Sequence, residues 1–238
     1  MKLPISKRLQ CCAEQVLPGA RVADVGCDHG YLGISLLLGG RASFIHATDL
    51  RELPLRHALQ NALCFGTAQQ MRFTCAPGLS AVSPDEVDTI ICAGMGGDLI
   101  AQILRDCPWL RSARYHLILQ PQSSGNDLRR KLYALGFGME RETLVEDGGF
   151  LYTVLCARFG NAVSLTPGQQ YCSPQLLQSG SALLPVYLAR IFHALTLTVE
   201  GLRRANDPTA AKRLAYYETA LREVSEMRDT DGNSTDDL

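Results

Sequence analysis

Residues 23–32 read ADVGCDHGYL. The apolar run RVADVG (21–26) ends inside this stretch, and a segment with helical spacing opens at Tyr31. Gly26 suits a tight turn, and Gly30 suits a close backbone approach where the helix begins. A loop after the first strand of an open α/β sheet is the usual place for a nucleotide-like ligand. A dinucleotide fingerprint would read GxGxxG, whereas Gly26-Cys27-Asp28-His29-Gly30 puts an acid at the middle glycine position. That carboxylate would repel a pyrophosphate and attract an ammonium or a sulfonium. Together Asp24 and Asp28 therefore point to a cationic ligand such as S-adenosylmethionine (SAM). The competing reading is an ordinary turn rich in Asp and Gly.

Outward from this stretch, strand-like runs alternate with helix-like ones. RVADVG (21–26), SFIHATDL (43–50), MRFTCA (71–76), VDTIICAGM (87–95) and YHLILQP (115–121) are apolar and rich in β-formers. Such near-continuous runs suit strands buried on both faces of a parallel sheet. Between them, 31–39, 54–64, 98–105 and 124–135 carry apolar residues three and four apart, and a first helix runs from Ile5 to Leu17 before Pro18-Gly19. RETLVED (141–147), Gly148-Gly149 and FLYTVLCARF (150–159) then read as a hairpin. The class is α/β. Five βα units finished by an antiparallel hairpin resemble Rossmann-like class I methyltransferases, whereas simple dinucleotide-binding domains lack that hairpin.

This domain is expected over 1–160, followed by a linker of loop composition over 161–173 and a helical hairpin domain over 174–228. Leu184, Leu188, Ile191, Leu195, Thr198 and Leu202 form one coiled-coil-like seam; Ala210, Leu214, Tyr217, Leu221 and Val224 form the other. Asp207 is the expected N-cap of the second arm, with Pro208 at its first helical position. An acidic, disordered tail is expected over 229–238.

The 238 residues carry a net charge of −1, but the tail holds four aspartates and no basic residue, so the rest is net positive. Basic residues group at Lys2, Lys7 and Arg8, at Arg129, Arg130 and Lys131, and at Arg203, Arg204, Lys212 and Arg213. Each group could be a solvated helix face or a phosphate-binding surface. The nine cysteines are scattered with no CxxC pair, which suits buried, reduced thiols in a cytoplasmic protein; Cys92, beside a Gly-rich segment, is the candidate for reactivity. No long apolar run suggests a membrane span, and no His spacing suggests a metal.

The other strand ends converge on the same crevice. Asp49 ends the second strand, where an acid can accept hydrogen bonds from both ribose hydroxyls of an adenosine; its competing role is a helix N-cap. Ala76-Pro77-Gly78-Leu79 follows the third strand, where a loop would pass the adenine. Ala93-Gly94-Met95-Gly96-Gly97-Asp98 follows the fourth, its glycines expected to leave open space for a substrate.

DVGCDHGYL, ATDLRELPL, AGMGG followed by LI, LILQP, and the hairpin with Glu146 and Tyr152 resemble the bacterial tRNA (adenine(22)-N1)-methyltransferase family over residues 5–158. The resemblance implies a SAM domain, a C-terminal coiled-coil domain, and methylation of an adenine in the tRNA D-arm. It implies a cofactor site lined by Gly26, Asp28, Gly30, Asp49, Leu50, Ala93, Gly94 and Met95, with Tyr31 as the aromatic functional residue; Cys27, Ala76 and Gly78, in the loops after the first and third strands, are further cofactor-site candidates. Asp28 and Tyr31 are the catalytic candidates, and Lys7, Arg8, Arg203, Arg204, Lys212 and Arg213 the tRNA contacts. His29 is not assigned as a base, since adenine N1 already carries a lone pair. Two positions depart from the pattern. Pro77 stands where the family has Asp, removing a carboxylate expected to meet the adenine amino group, and Gly33 stands where proline is common. A class I methyltransferase acting on another substrate, and a non-catalytic SAM- or RNA-binding module, remain as alternatives.

Overall fold

The computed structural model describes residues 3–205 and 210–233, with side chains through residue 230. Seven strands form one sheet: β1 (Ala20–Val25), β2 (Ala42–Asp49), β3 (Met71–Cys75), β4 (Thr89–Gly96), β5 (His116–Ser123), β6 (Phe137–Asp147) and β7 (Phe150–Phe159). Their order is β3-β2-β1-β4-β5-β7-β6. The first five are parallel, while β7 runs antiparallel to both β5 and β6. β6 begins at Phe137, four residues before the apolar run that marked it in sequence. Its early residues, Gly138 to Arg141, mix sizes and charges and carry no period-two signal.

Helices α1 (Lys7–Glu14), α2 (Tyr31–Leu38), α3 (Glu52–Cys64), α4 (Gly97–Asp106) and α5 (Gly125–Leu135) cover the sheet. One apolar cluster joins Cys12, Val16, Ile34, Leu36 and Ala58 to Val22, Ile45 and Ile118; the other joins Ile100, Leu104, Leu128 and Leu132 to Ile90, Leu117 and Leu119. Fully burying one such Leu or Ile contributes roughly 1.5–3 kcal/mol, which explains the continuous hydrophobic runs of the central strands.

The expected linker is a packed segment rather than a free tether. Cys172 and Ser173 are fully buried, Tyr171 packs beside them, and Pro174–Leu177 form a short helix, α6. Glu223 accepts hydrogen bonds from the Gly168 N–H (2.7 Å) and Thr166 Oγ1 (2.6 Å), fastening the segment to the second long helix. The hairpin consists of α7 (Leu184–Arg204) and α8 (Ala210–Asn233). Leu184, Leu188 and Leu195 are buried as the seam requires, but Val199 takes the inward position expected of Thr198. Ala220 and Val224 are buried on α8. The helix continues to Asn233, so the first five residues assigned to a disordered tail are helical. Asp207, Pro208 and residues 234–238 lie outside the described residues.

A buried ion pair within the sheet domain anchors the segment that leads to the hairpin. Arg129 and Glu142 are both essentially inaccessible, and Arg129 also donates to the Gln170 carbonyl at 2.9 Å while Ser173 Oγ donates to Glu142 Oε2 at 2.5 Å. Arg129 is therefore not part of a solvated basic face. Removing one partner would strand a buried charge, a loss of about 3–5 kcal/mol.

Candidate active site

The parallel register brings four strand ends together. Val25 lies beside Thr48 on β2 and Cys92 on β4, and Ala93 lies beside Gln120 on β5. At their carboxyl ends is a cleft of about 350 Å³. Gly26, Asp49, Leu50, Ala76, Gly78 and Met95, six of the expected residues, line it. Pro77 and Leu79 complete the loop after β3, and Leu99 and Ile103 form the opposing apolar wall on α4. The single buried acid of the lining is Asp49, 9% exposed. Its Oδ1 accepts the Arg51 N–H at 3.0 Å and its Oδ2 the Asp28 N–H at 3.3 Å. The carboxylate orders the turn before α3 without capping that helix, whose N-cap is Arg51, and it faces the cleft. An apolar slot with one oriented acid suits a flat heteroaromatic ring joined to a polyol. The cleft offers no basic side chain for a pyrophosphate.

The first loop is pinned at its base, where the Gly26 and Cys27 N–H groups donate to the Thr48 carbonyl at 2.8 and 3.0 Å. Asp28 follows at φ +50°; its side chain is 66% exposed and lies outside the cleft lining. Asp24, expected to share its ligand, does not reach the cleft. It is 3% exposed, and burial pushes its carboxyl up to about 7, partly opposed by a hydrogen bond from the Gly33 N–H and reinforced by Asp49. Its Oδ2 has no partner among the described residues. Cys27 points into the core, and burial raises its thiol pKa. Burial does the same to Cys92, which argues against reactivity there.

Two glycines have different reasons from those expected. A Cβ on Gly30 would lie 2.9 Å from the Ala58 side chain, so this glycine serves the close crossing of α2 and α3. A Cβ on Gly97 would lie 2.6 Å from the Ser124 carbonyl, so the glycines after β4 permit close packing rather than open space. Ala93 and Gly94 do not line the cleft; they continue its floor toward β5. Tyr31 is half-buried at the start of α2, partly packed on the core, with its ring 6.0 Å from that of His29. His29 in turn stacks on His57 at 5.3 Å, and Asn61 holds the His29 carbonyl.

The basic candidates separate. Lys7 is exposed at the start of α1, whereas Arg8 turns inward onto Gln120. Arg203 binds Glu218 across the hairpin at 2.7 Å, and Arg204 lies 3.8 Å from Glu200. Lys212 and Arg213 are exposed on α8. Sequence reasoning missed Thr48, Ser80, Leu99, Gln102, Ile103, Asp106 and Cys107 in the lining. The i, i+4 pairs Leu99/Ile103 and Gln102/Asp106 were visible as helical spacing, but spacing does not say which face meets the crevice.

Among the described residues no helix is long and apolar enough to cross a membrane, and no cluster of His, Cys, Asp and Glu could hold a metal. Sheet order, antiparallel hairpin and crevice chemistry define a Rossmann-like methyltransferase. A family model described as a methyltransferase domain matches residues 5–155. The chain is 29% identical over 232 residues to the tRNA (adenine(22)-N(1))-methyltransferase of Bacillus subtilis, covering 98% of this chain and 90% of that one. The crystal structure of the B. subtilis m1A22 tRNA methyltransferase TrmK matches with a TM-score of 0.86 at 27% identity, over 95% of this chain and 100% of that one. A Streptococcus pneumoniae structure, named "a putative tRNA (m1A22) methyltransferase, in complex with S-adenosyl-L-methionine", matches at 31% identity and TM-score 0.78, over 91% and 99%. The chain belongs to the bacterial tRNA (adenine(22)-N1)-methyltransferase family.

Proposed function

We propose that this protein transfers the methyl group of SAM to N1 of adenine 22 in the D-arm of tRNA. The observation that carries the reading is the cleft itself: an apolar slot closed by Asp49 and entered past the acidic loop Gly26–Gly30, in place of a phosphate-binding loop. Asp49 accepts the ribose hydroxyls, and Leu50, Leu99 and Ile103 sandwich the adenine of the cofactor. Pro77 offers no carboxylate to the adenine amino group. The polar side chains in that part of the lining are Ser80, Gln102 and Asp106, and the last two take over that contact.

SAM supplies an electrophilic methyl on a sulfonium. The protein's task is alignment, since adenine N1 attacks with a lone pair that needs no prior deprotonation. The product base carries a positive charge. Asp28, exposed and with its backbone N–H on Asp49, stabilises that charge more as it develops than before. Tyr31 positions the base beside it. In a duplex N1 is paired, so the adenine must leave its stack or lie in an irregular part of the fold. The exposed cations Lys7, Lys212 and Arg213 contribute phosphate contacts.

Incubating the protein with SAM and tRNA, then digesting the RNA and analysing nucleosides by mass spectrometry, tests the reading. N1-methyladenosine should appear, and it should vanish when adenine 22 is replaced by guanine. Methylation of protein or small molecules with tRNA left unmodified would refute it.

A further inference from the structure

The loop after β1 carries an exposed stack of rings that the crossing of α2 and α3 does not need. The Cys27 carbonyl accepts the Gly30 N–H at 2.8 Å, so Asp28 and His29 stand at the two corners of a tight turn. The His29 ring lies 5.3 Å from that of His57 with the planes 4° apart, and 6.0 Å from that of Tyr31 with the planes 25° apart. Nearly parallel rings thus join the loop to α2 and α3. The His29 side chain is nevertheless 48% exposed, and His57 is half-buried. The helix crossing beside them is closed by other contacts: Gly30 lies against Ala58, and Asn61 Nδ2 donates to the His29 carbonyl at 2.9 Å.

The stack continues an apolar strip that starts at the cleft. Leu53, His57 and Asn61, at i, i+4 and i+8, share one face of α3. His57 and Asn61 both meet His29, so Leu53, 63% exposed, lies on the same side, one turn nearer the start of the helix. Before it comes Leu50, 71% exposed and part of the cleft lining. Arg51, next to Leu50, is exposed and has no ion pair among the described residues. Asp28 Oδ1 lies 3.8 Å from His29 Nε2. A carboxylate there repels a phosphate, whereas the face of a nucleobase carries no charge to repel. Unpaired RNA is recognised largely by stacking its bases on aromatic side chains, histidine included. An adenine drawn out of its stack also leaves the adjoining base with an uncovered face.

We propose that His29 and His57 form a stacking platform for an unpaired tRNA base next to the target adenine, and that the RNA reaches the cleft along this exposed face of α3. This rests on the tRNA reading above. Tyr31 holds the target, the two histidines hold its neighbour, and Arg51 supplies a phosphate contact at the edge of the strip.

The test uses the full-length protein and measures tRNA affinity by fluorescence anisotropy over a range of salt concentrations, with S-adenosylhomocysteine affinity by calorimetry as the control. His57→Ala should weaken tRNA binding roughly five- to a hundred-fold, with its salt slope unchanged and S-adenosylhomocysteine affinity within about two-fold. His57→Phe should restore most of the affinity, whereas His57→Lys, a cation without a ring, should not. His29→Ala should behave like His57→Ala; if it folds poorly, the three variants on α3 decide. Unchanged tRNA affinity in His57→Ala would overturn the proposal. So would rescue by lysine with a steeper salt slope, which marks a phosphate contact, or a parallel loss of S-adenosylhomocysteine binding, which marks a packing role. A parent protein that binds S-adenosylhomocysteine but no tRNA would remove the tRNA reading itself, and the platform with it.

Discussion

Replacing Asp49 with alanine should weaken SAM and its demethylated product without abolishing the fold. The carboxylate is held by the Asp28 and Arg51 N–H groups, at 3.3 and 3.0 Å, so it is aimed before any ligand arrives. At 9% exposure little water competes for its remaining lone pairs. A hydrogen bond to a charged acceptor contributes about 1.5–3 kcal/mol, which corresponds to a roughly ten- to 150-fold rise in Kd. The alanine variant also leaves two backbone N–H groups without their acceptor, so some loss of Tm is expected and does not by itself prove a binding role. A double-mutant cycle separates the two effects. S-adenosylhomocysteine and its 2′-deoxy analogue are each titrated into the parent protein and into Asp49→Ala. If Asp49 receives the ribose hydroxyl, removing that hydroxyl should cost the parent much of its affinity and the variant almost none. Equal losses in both proteins would refute the reasoning, because the hydroxyl would then be meeting something else.

Tyr31→Ala should lose most methyl transfer while SAM affinity and Tm change little; a variant that methylates at the parental rate, or that unfolds, returns the ring to a packing role. Lys212 and Arg213, replaced together by alanine, should weaken tRNA binding and flatten its salt dependence by up to about two, whereas Arg203 and Arg204, already paired with Glu218 and Glu200, should matter less. An unchanged salt slope would free the hairpin for another task, such as self-association. Asp24 carries a pH signature. Its carboxyl titrates at about 7 in the folded protein against 3.8 for the unperturbed group, so the folded state binds the extra proton between these values. Stability from this group is fully present below about pH 4 and is lost as pH rises through about 7, by up to about 4 kcal/mol. Asp24→Asn should flatten that part of the curve in urea unfolding; parallel curves for parent and variant would refute it.

Strands and helices were legible along the chain because burial on both faces of a parallel sheet demands unbroken apolar runs, and one-sided helices demand a period near 3.6. The hairpin after β5 was legible from Gly148-Gly149, where the chain turns back at positive φ. Asp49 and the Gly26–Gly30 loop could be singled out because strand ends converge wherever parallel strands lie side by side. Three features could not be read from spacing. Asp24 looked like a partner of Asp28, yet only packing shows that its carboxyl faces the Gly33 N–H beneath the loop. Gly30 and Gly97 looked like room for a ligand, but their missing Cβ atoms make room for Ala58 and the Ser124 carbonyl instead. The wall of the cleft on α4 and the turn of Arg8 onto Gln120 join residues up to 112 positions apart. Periodicity constrains which face of an element is buried; which distant side chains that face meets depends on strand order and helix crossing, and these exist only in the assembled sheet.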